Sequence, residues 1–211
     1  MILDEAYIID GVFRLDRDLI DEDPYYFLET DGDNSIYFYE DVANEIYILE
    51  IEGNIIVEGD VVFGEEDIPD SGQYKIEYDG LGKILSTDSI HIYSRIYPVN
   101  VSDFPEDSFL ILMAQNDIDL EVIDWRNYFG SCSSPDLYLM VISGGTTKLY
   151  RHISLKGSVM CGNLDTSDGW LSSWARICYQ DGLSENLPED LPQLIYGGAT
   201  FNKEWQEIID N

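Results

Sequence analysis

The chain is expected to be mainly β, an antiparallel sandwich or meander with one or two short helices near its C-terminus and α+β as the alternative. Three features lead there. Apolar and polar residues alternate at period two over many short stretches, Gly, Asn and Asp clusters separate those stretches, and the chain is rich in Ile and Tyr.

In chain order, strands are expected at 7–15, 25–28, 36–39, 46–51 and 55–63. Asp31-Gly32-Asp33-Asn34 and Glu52-Gly53-Asn54 lie between them and read as hairpin connections, because Gly and Asn tolerate positive φ. Leu49-Glu-Ile-Glu-Gly53-Asn and Ile55-Ile-Val-Glu-Gly59-Asp form a near-repeat. Two copies are too few to define a solenoid, and the pattern does not persist through 73–82. The breaker-rich acidic stretch 64–72 is expected to be an exposed loop. Strands follow at 74–78, 83–85 and 89–97, where Pro98 cannot donate to a ladder.

The most favoured organisation is a single domain over 1–211, with 98–108 as the point of any subdivision into an acidic β-rich half, 1–98, and a second half, 108–211. The continuous apolar run 109–114 fits a buried strand or a short helix, and 120–125 alternates as a strand. Segments 137–142 and 148–155 flank Ser143-Gly144-Gly145-Thr146-Thr147, which reads as a further hairpin. Trp170 and Trp174 share a helical spacing with Asp168 as cap, and 202–210 reads as a closing helix capped by Asn202 or Thr200.

Charge dominates the composition: 42 Asp and Glu face 11 Lys and Arg, a formal net charge of -31. Such a polyanion repels nucleic acid and anionic lipid, so the expected partner is a basic protein, with no direct nucleic-acid or membrane contact. Solubility alone is a competing explanation of the charge, whereas salt adaptation fits poorly with so much Ile and Tyr. No basic leader and no apolar window long enough to span a bilayer is visible, so a cytoplasmic location is expected. Cys132, Cys161 and Cys178 are odd in number and widely spaced, and buried free thiols are expected.

No catalytic site is expected, and the chain reads as a non-enzyme. His91 and His152 are the only residues with near-neutral side-chain pKa, and neither has motif company. His91, between Ile90 and Ile92, belongs on the opposite strand face and fits a cross-strand or surface role. Gly130-Ser131-Cys132-Ser133 lacks the pattern of a nucleophile elbow, and no phosphate-binding loop, dinucleotide fingerprint or zinc-protease motif occurs. The run from Asp31 fails as a calcium loop, with Ile36 at the glycine position and Val42 at the twelfth, and Asp165-Thr-Ser-Asp168-Gly169 is equally incomplete. Neither metal nor cofactor is expected.

Charge clusters remain: Asp16, Asp18, Asp21, Glu22 and Asp23; Glu40 and Asp41; and Glu65, Glu66, Asp67 and Asp70. Singly each reads as a solvated turn, while together with Tyr side chains they read as a partner-binding surface. The function expected is that of an inhibitor or immunity-type protein. It would occlude the nucleic-acid-binding surface of a nuclease, toxin or antiviral effector, as a DNA mimic or anti-defence factor does. The alternative is a structural or virion assembly protein acting by self-association, for which a homodimer is one form.

Overall fold

In the computed structural model, the described residues are 6–29, 34–66, 75–122, 135–150, 153–166 and 176–178. Strands β1 (Tyr7–Asp10), β2 (Phe13–Leu15), β3 (Tyr25–Glu29), β4 (Ser35–Asp41), β5 (Ile46–Glu58) and β6 (Val61–Phe63) come first, with helix α1 (Arg17–Glu22) after β2. Then follow β7 (Lys75–Asp79), β8 (Leu81–Ser86), β9 (Ile90–Ile92), β10 (Ile96–Pro98), β11 (Phe109–Ala114), β12 (Ile118–Leu120), β13 (Leu137–Leu149), β14 (Ser154–Asp165) and β15 (Arg176–Cys178).

Most strands sit where alternation places them, but β12 ends at Leu120, where the strand expected at 120–125 would begin, the strand expected at 148–155 is divided between β13 and β14, and the pairing corrects the antiparallel expectation. Every pair is parallel except β3–β4 and β4–β5. The order β10-β7-β5-β8-β11-β13 closes through a β10–β13 pair, giving a closed parallel barrel with additional strands. The register shows how the chain achieves it. Ile55 lies beside Ile84, Ile84 beside Leu112, Leu112 beside Val141 and Val141 beside Val159. A second column runs from Leu15 through Phe63, Ile92 and Leu120 to Leu149, and a third from Tyr47 through Ile76, Ile96 and Leu137 to Leu155. The chain therefore winds turn upon turn, and each turn contributes one strand segment to each of three faces. The six-residue near-repeat marks two successive corners of one such turn.

Glycine makes these corners. Gly53, predicted to turn a hairpin, bends the continuous strand β5 at φ 73, and Gly80 joins β7 to β8 at φ 97. The predicted hairpin at 143–147 is likewise a corner: β13 passes through it unbroken and stays parallel to its neighbours. A glycine with positive φ serves a corner between faces as well as a reversal.

The interior columns are buried Ile, Leu, Val and Phe. β11 is buried at all six positions, which accounts for its unbroken apolar run and decides for a strand over a helix. Phe104 covers its outer side, with ring centroids 5.6 Å from both Phe109 and Tyr138. The 98–108 segment is thus an excursion from one turn, and the core continues past it on both sides.

At the other end, α1 closes the coil by burying Ile20, and Asp16 caps that helix by accepting the Leu19 N–H. The β3–β4 hairpin adds two antiparallel strands to the edge of β5, as its turn chemistry predicts. Cys178 is disulfide-bonded, which corrects the expectation of free thiols throughout, and Cys161 is free and half-buried. The predicted helices around Trp170 and at 202–210, together with Cys132, His152, Gly130 to Ser133, Asp67 and Asp70, lie outside the described residues. Among the described residues no helix is long and apolar enough to cross a membrane.

Candidate functional site: an aromatic and acidic sheet surface

Strands β3, β4, β5, β7 and β10 form one sheet whose inner side carries Ile36, Phe38, Tyr47, Leu49, Ile76 and Tyr78 into the core. Alternation then turns the intervening residues outward. In register, one outward row is Tyr25, Tyr39, Ile48, Glu77 and Tyr97, and the next is Phe27, Tyr37, Glu50 and Asp79. Neighbours in a row are about 4.8 Å apart and the rows about 7 Å apart, as sheet geometry requires.

The result is a surface with two chemistries side by side. Its β3–β4 side is aromatic: Tyr25 is 66% exposed and Phe27 52%, Phe27 meets Tyr37 edge-on at 5.6 Å, and Tyr37 lies 4.9 Å from Tyr39. Its β5–β7 side is acidic, with Glu50, Glu52, Glu77 and Asp79 and, across from Asp41 and Ile46, a single Lys75 that lies 5.9 Å over the Tyr97 ring. The two halves are joined where the Tyr39 hydroxyl donates to Glu50 Oε1 at 3.1 Å. Burial and that carboxylate push the Tyr39 hydroxyl up to about 12, so it stays a donor at neutral pH. Burial also raises Glu77, against Lys75 and with help from Asp41.

The carboxylates singled out from sequence divide. Asp16 is 2% exposed and occupied as a helix cap, with Arg14 Nε 3.2 Å away. Burial raises its pKa despite these contacts. Asp23 accepts the Tyr25 N–H, and Asp41 accepts from the Ala43 and Asn44 amides and the Asn44 side chain, so both have local structural work. Asp18, Asp21, Glu22 and Glu66 are exposed. Folding does bring two of the sequence clusters together: Glu65 lies 3.7 Å from Arg17 of α1, and its pKa is raised by burial and then by Asp16, Asp18 and Asp21. Glu40 lies beside Tyr47, whose hydroxyl feels both Arg17 and Glu65. Among the described residues of the predicted set only Asp41 stands on the aromatic sheet surface. Glu50, Glu52, Glu77 and Asp79 were missed because they are scattered singly through strands. The available signal was period-two alternation in Tyr37-x-Tyr39-x-Asp41, Ile48-x-Glu50-x-Glu52 and Lys75-x-Glu77-x-Asp79.

Other acidic residues hold the coil together. Asp60 accepts the Ser89 N–H, Asp88 the Asn116 amide side chain and Asp117 the Thr146 N–H, so one corner is stapled turn to turn. On the second face His91 Nδ1 lies 3.3 Å from Asp119, which also meets Lys148 at 3.4 Å. This is the cross-strand role expected of His91. Among the described residues no three His, Cys, Asp or Glu converge as metal ligands.

A parallel β coil with an aromatic and acidic outer sheet is the class these features define. No protein-family model matches the chain, and no curated protein matches it. Among solved structures it is similar to the competence-associated pilin ComZ from Thermus thermophilus, at 19% identity and a TM-score of 0.52, over 72% of this chain. The match spans 30% of that chain, and at this identity the likeness concerns the fold alone.

Proposed function

We propose that the protein is a non-catalytic binding protein that covers a basic, nucleic-acid-binding face of another protein, in the manner of an inhibitor or immunity protein. One observation carries the reading: exposed aromatic rings and rows of carboxylates with a single lysine among them share one sheet surface on a chain of net charge -31. Aromatic side chains supply the contact area of protein interfaces, and clustered charge of one sign steers an oppositely charged partner.

The test is capture on immobilised protein from lysate at low and high salt, comparing the wild type with Glu50→Gln/Glu77→Gln/Asp79→Asn. A basic nucleic-acid-binding protein retained at low salt, released at high salt and weakened about tenfold or more by the triple substitution supports the reading. Capture unaffected by either salt or substitution overturns it. The self-association alternative draws on Met160, Leu164 and Ile177, apolar residues exposed on β14 and β15. It requires a salt-resistant oligomer in sedimentation equilibrium.

A further inference from the structure

We infer that β3 is a docking edge at which an extended segment of the partner, alternating basic and apolar residues, joins the sheet as an added strand. This rests on the reading of the outer sheet as a surface for a basic protein and names how such a protein engages it.

Among the described residues β3 pairs with β4 alone, so its outer backbone edge faces no other strand. Exposed edges in folded proteins are usually guarded by lysine, a bulge or an internal proline. The five residues of β3, Tyr-Tyr-Phe-Leu-Glu, contain none of these guards, their register with β4 is unbroken, and Pro24 stands only before the first of them. The two aromatic rows also end here, at Tyr25 and Phe27, the most exposed rings of the surface.

A strand added at the usual spacing would lie about 4.8 Å beyond these rings. Its outward side chains would then flank Tyr25 and Phe27, and Lys or Arg there gains the ring faces as cation–π partners with the carboxylates of β5 and β7 behind them. Its alternate side chains would fall on the side of Tyr26 and Leu28, which pack against the core, and apolar residues suit that side. Charge selects between the occupants of such an edge. A second copy would bring another -31 to the contact, whereas a basic segment neutralises it.

The probe is a short fluorescent peptide of alternating lysine and valine, with two further versions carrying backbone N-methyl groups along one edge or the other. Anisotropy at low salt is expected to show binding that one N-methylated version loses by about tenfold or more, because strand addition uses one peptide edge. Hydrogen exchange is expected to show Tyr26 to Leu28 amides protected on binding. Phe27→Lys, which guards the edge and keeps the strand, is expected to weaken the peptide to a similar degree. Equal affinity for all three peptides, with β3 exchange unchanged, overturns strand addition while leaving the wider surface reading intact. A dimer of the free protein that Phe27→Lys dissociates overturns it in favour of a second copy. Failure of the peptide to bind overturns the inference, and only joint failure of the salt-sensitive capture overturns the surface reading as well.

Discussion

The Tyr78 hydroxyl, fully buried inside the coil, donates a hydrogen bond of 2.8 Å to the backbone carbonyl of Tyr138, 60 residues further along the chain. Burial holds that hydroxyl well above its ordinary pKa, so it is a neutral donor at any physiological pH. Tyr78→Phe keeps the ring and strips the carbonyl of this donor. The expected loss is about 1–2 kcal/mol in urea unfolding, with no change in partner capture, since nothing on the outer surface moves.

Gly80 turns the corner between β7 and β8 at φ 97, and a Cβ there would press into the Ile51 carbonyl oxygen of the preceding turn. Gly80→Ala therefore meets both backbone strain and a backbone clash, neither of which a flexible side chain can relieve. Destabilisation of roughly 2 kcal/mol or more is expected, seen as a fall in thermal midpoint. Gly11→Ala provides the comparison: its φ of 82 is similarly strained, but a Cβ there meets nothing within 4 Å, so a smaller loss is expected.

Asp16 separates structural from binding acidity. Asp16→Ala removes the cap of α1 and is expected to cost about 1 kcal/mol. Asp16→Asn keeps an accepting oxygen for Leu19 and relieves a buried charge, so stability should be nearly unchanged or slightly raised. Both variants should capture a basic partner as the wild type does, measured by retention at low salt.

The His91–Asp119 pair makes a pH-dependent contribution. His91 is raised above 6.5 first by its hydrogen bond to Asp119, against burial, so its share is complete below 6.5 and is lost as pH rises through the raised value. Asp119 is lowered below 3.8, first by the same bond, so its share is complete above 3.8 and is lost as pH falls through the lowered value. The pair is at full strength between those limits. His91→Gln should thus lie furthest below the wild type in urea midpoint near the middle of that window and converge with it in alkali. With His91 about a third exposed, the largest gap is expected to be about 1 kcal/mol or less.

Most strand positions were legible in the sequence because period two reports burial on one side of a strand, whereas 120–125 and 148–155 were misplaced. Pairing direction was not, since alternation in 46–51 and 55–63 reads alike whether a hairpin or a bend at Gly53 joins them. The turn period was hidden too. Asp136 and Ser154 meet at a separation of 18 residues, Asp88 and Asn116 at 28, and Asp60 and Ser89 at 29, because excursions of different length interrupt successive turns. The acidic surface was half legible for a related reason. Clustered carboxylates such as Asp16, Asp23 and Asp41 attract notice but are engaged in caps and turns, whereas Glu50, Glu77 and Asp79 converge only once three distant strands lie in register.

Those unequal separations bear on the order in which the coil assembles. Loop closure costs more as the loop lengthens, so among the parallel pairings the 18-residue winding of β13 onto β14 is the cheapest to make, and the pairings of β1 with β5 and of β2 with β6, which span the α1 and β3–β4 insertion, are the dearest. Conservative truncations on β13 and β14, such as Val141→Ala, should slow refolding in stopped-flow measurements, while Ile9→Ala on β1 should mainly speed unfolding. Among the parallel turns growth then runs from the late ones back toward the early ones, and β1 and β2 are the last strands to be zipped into place.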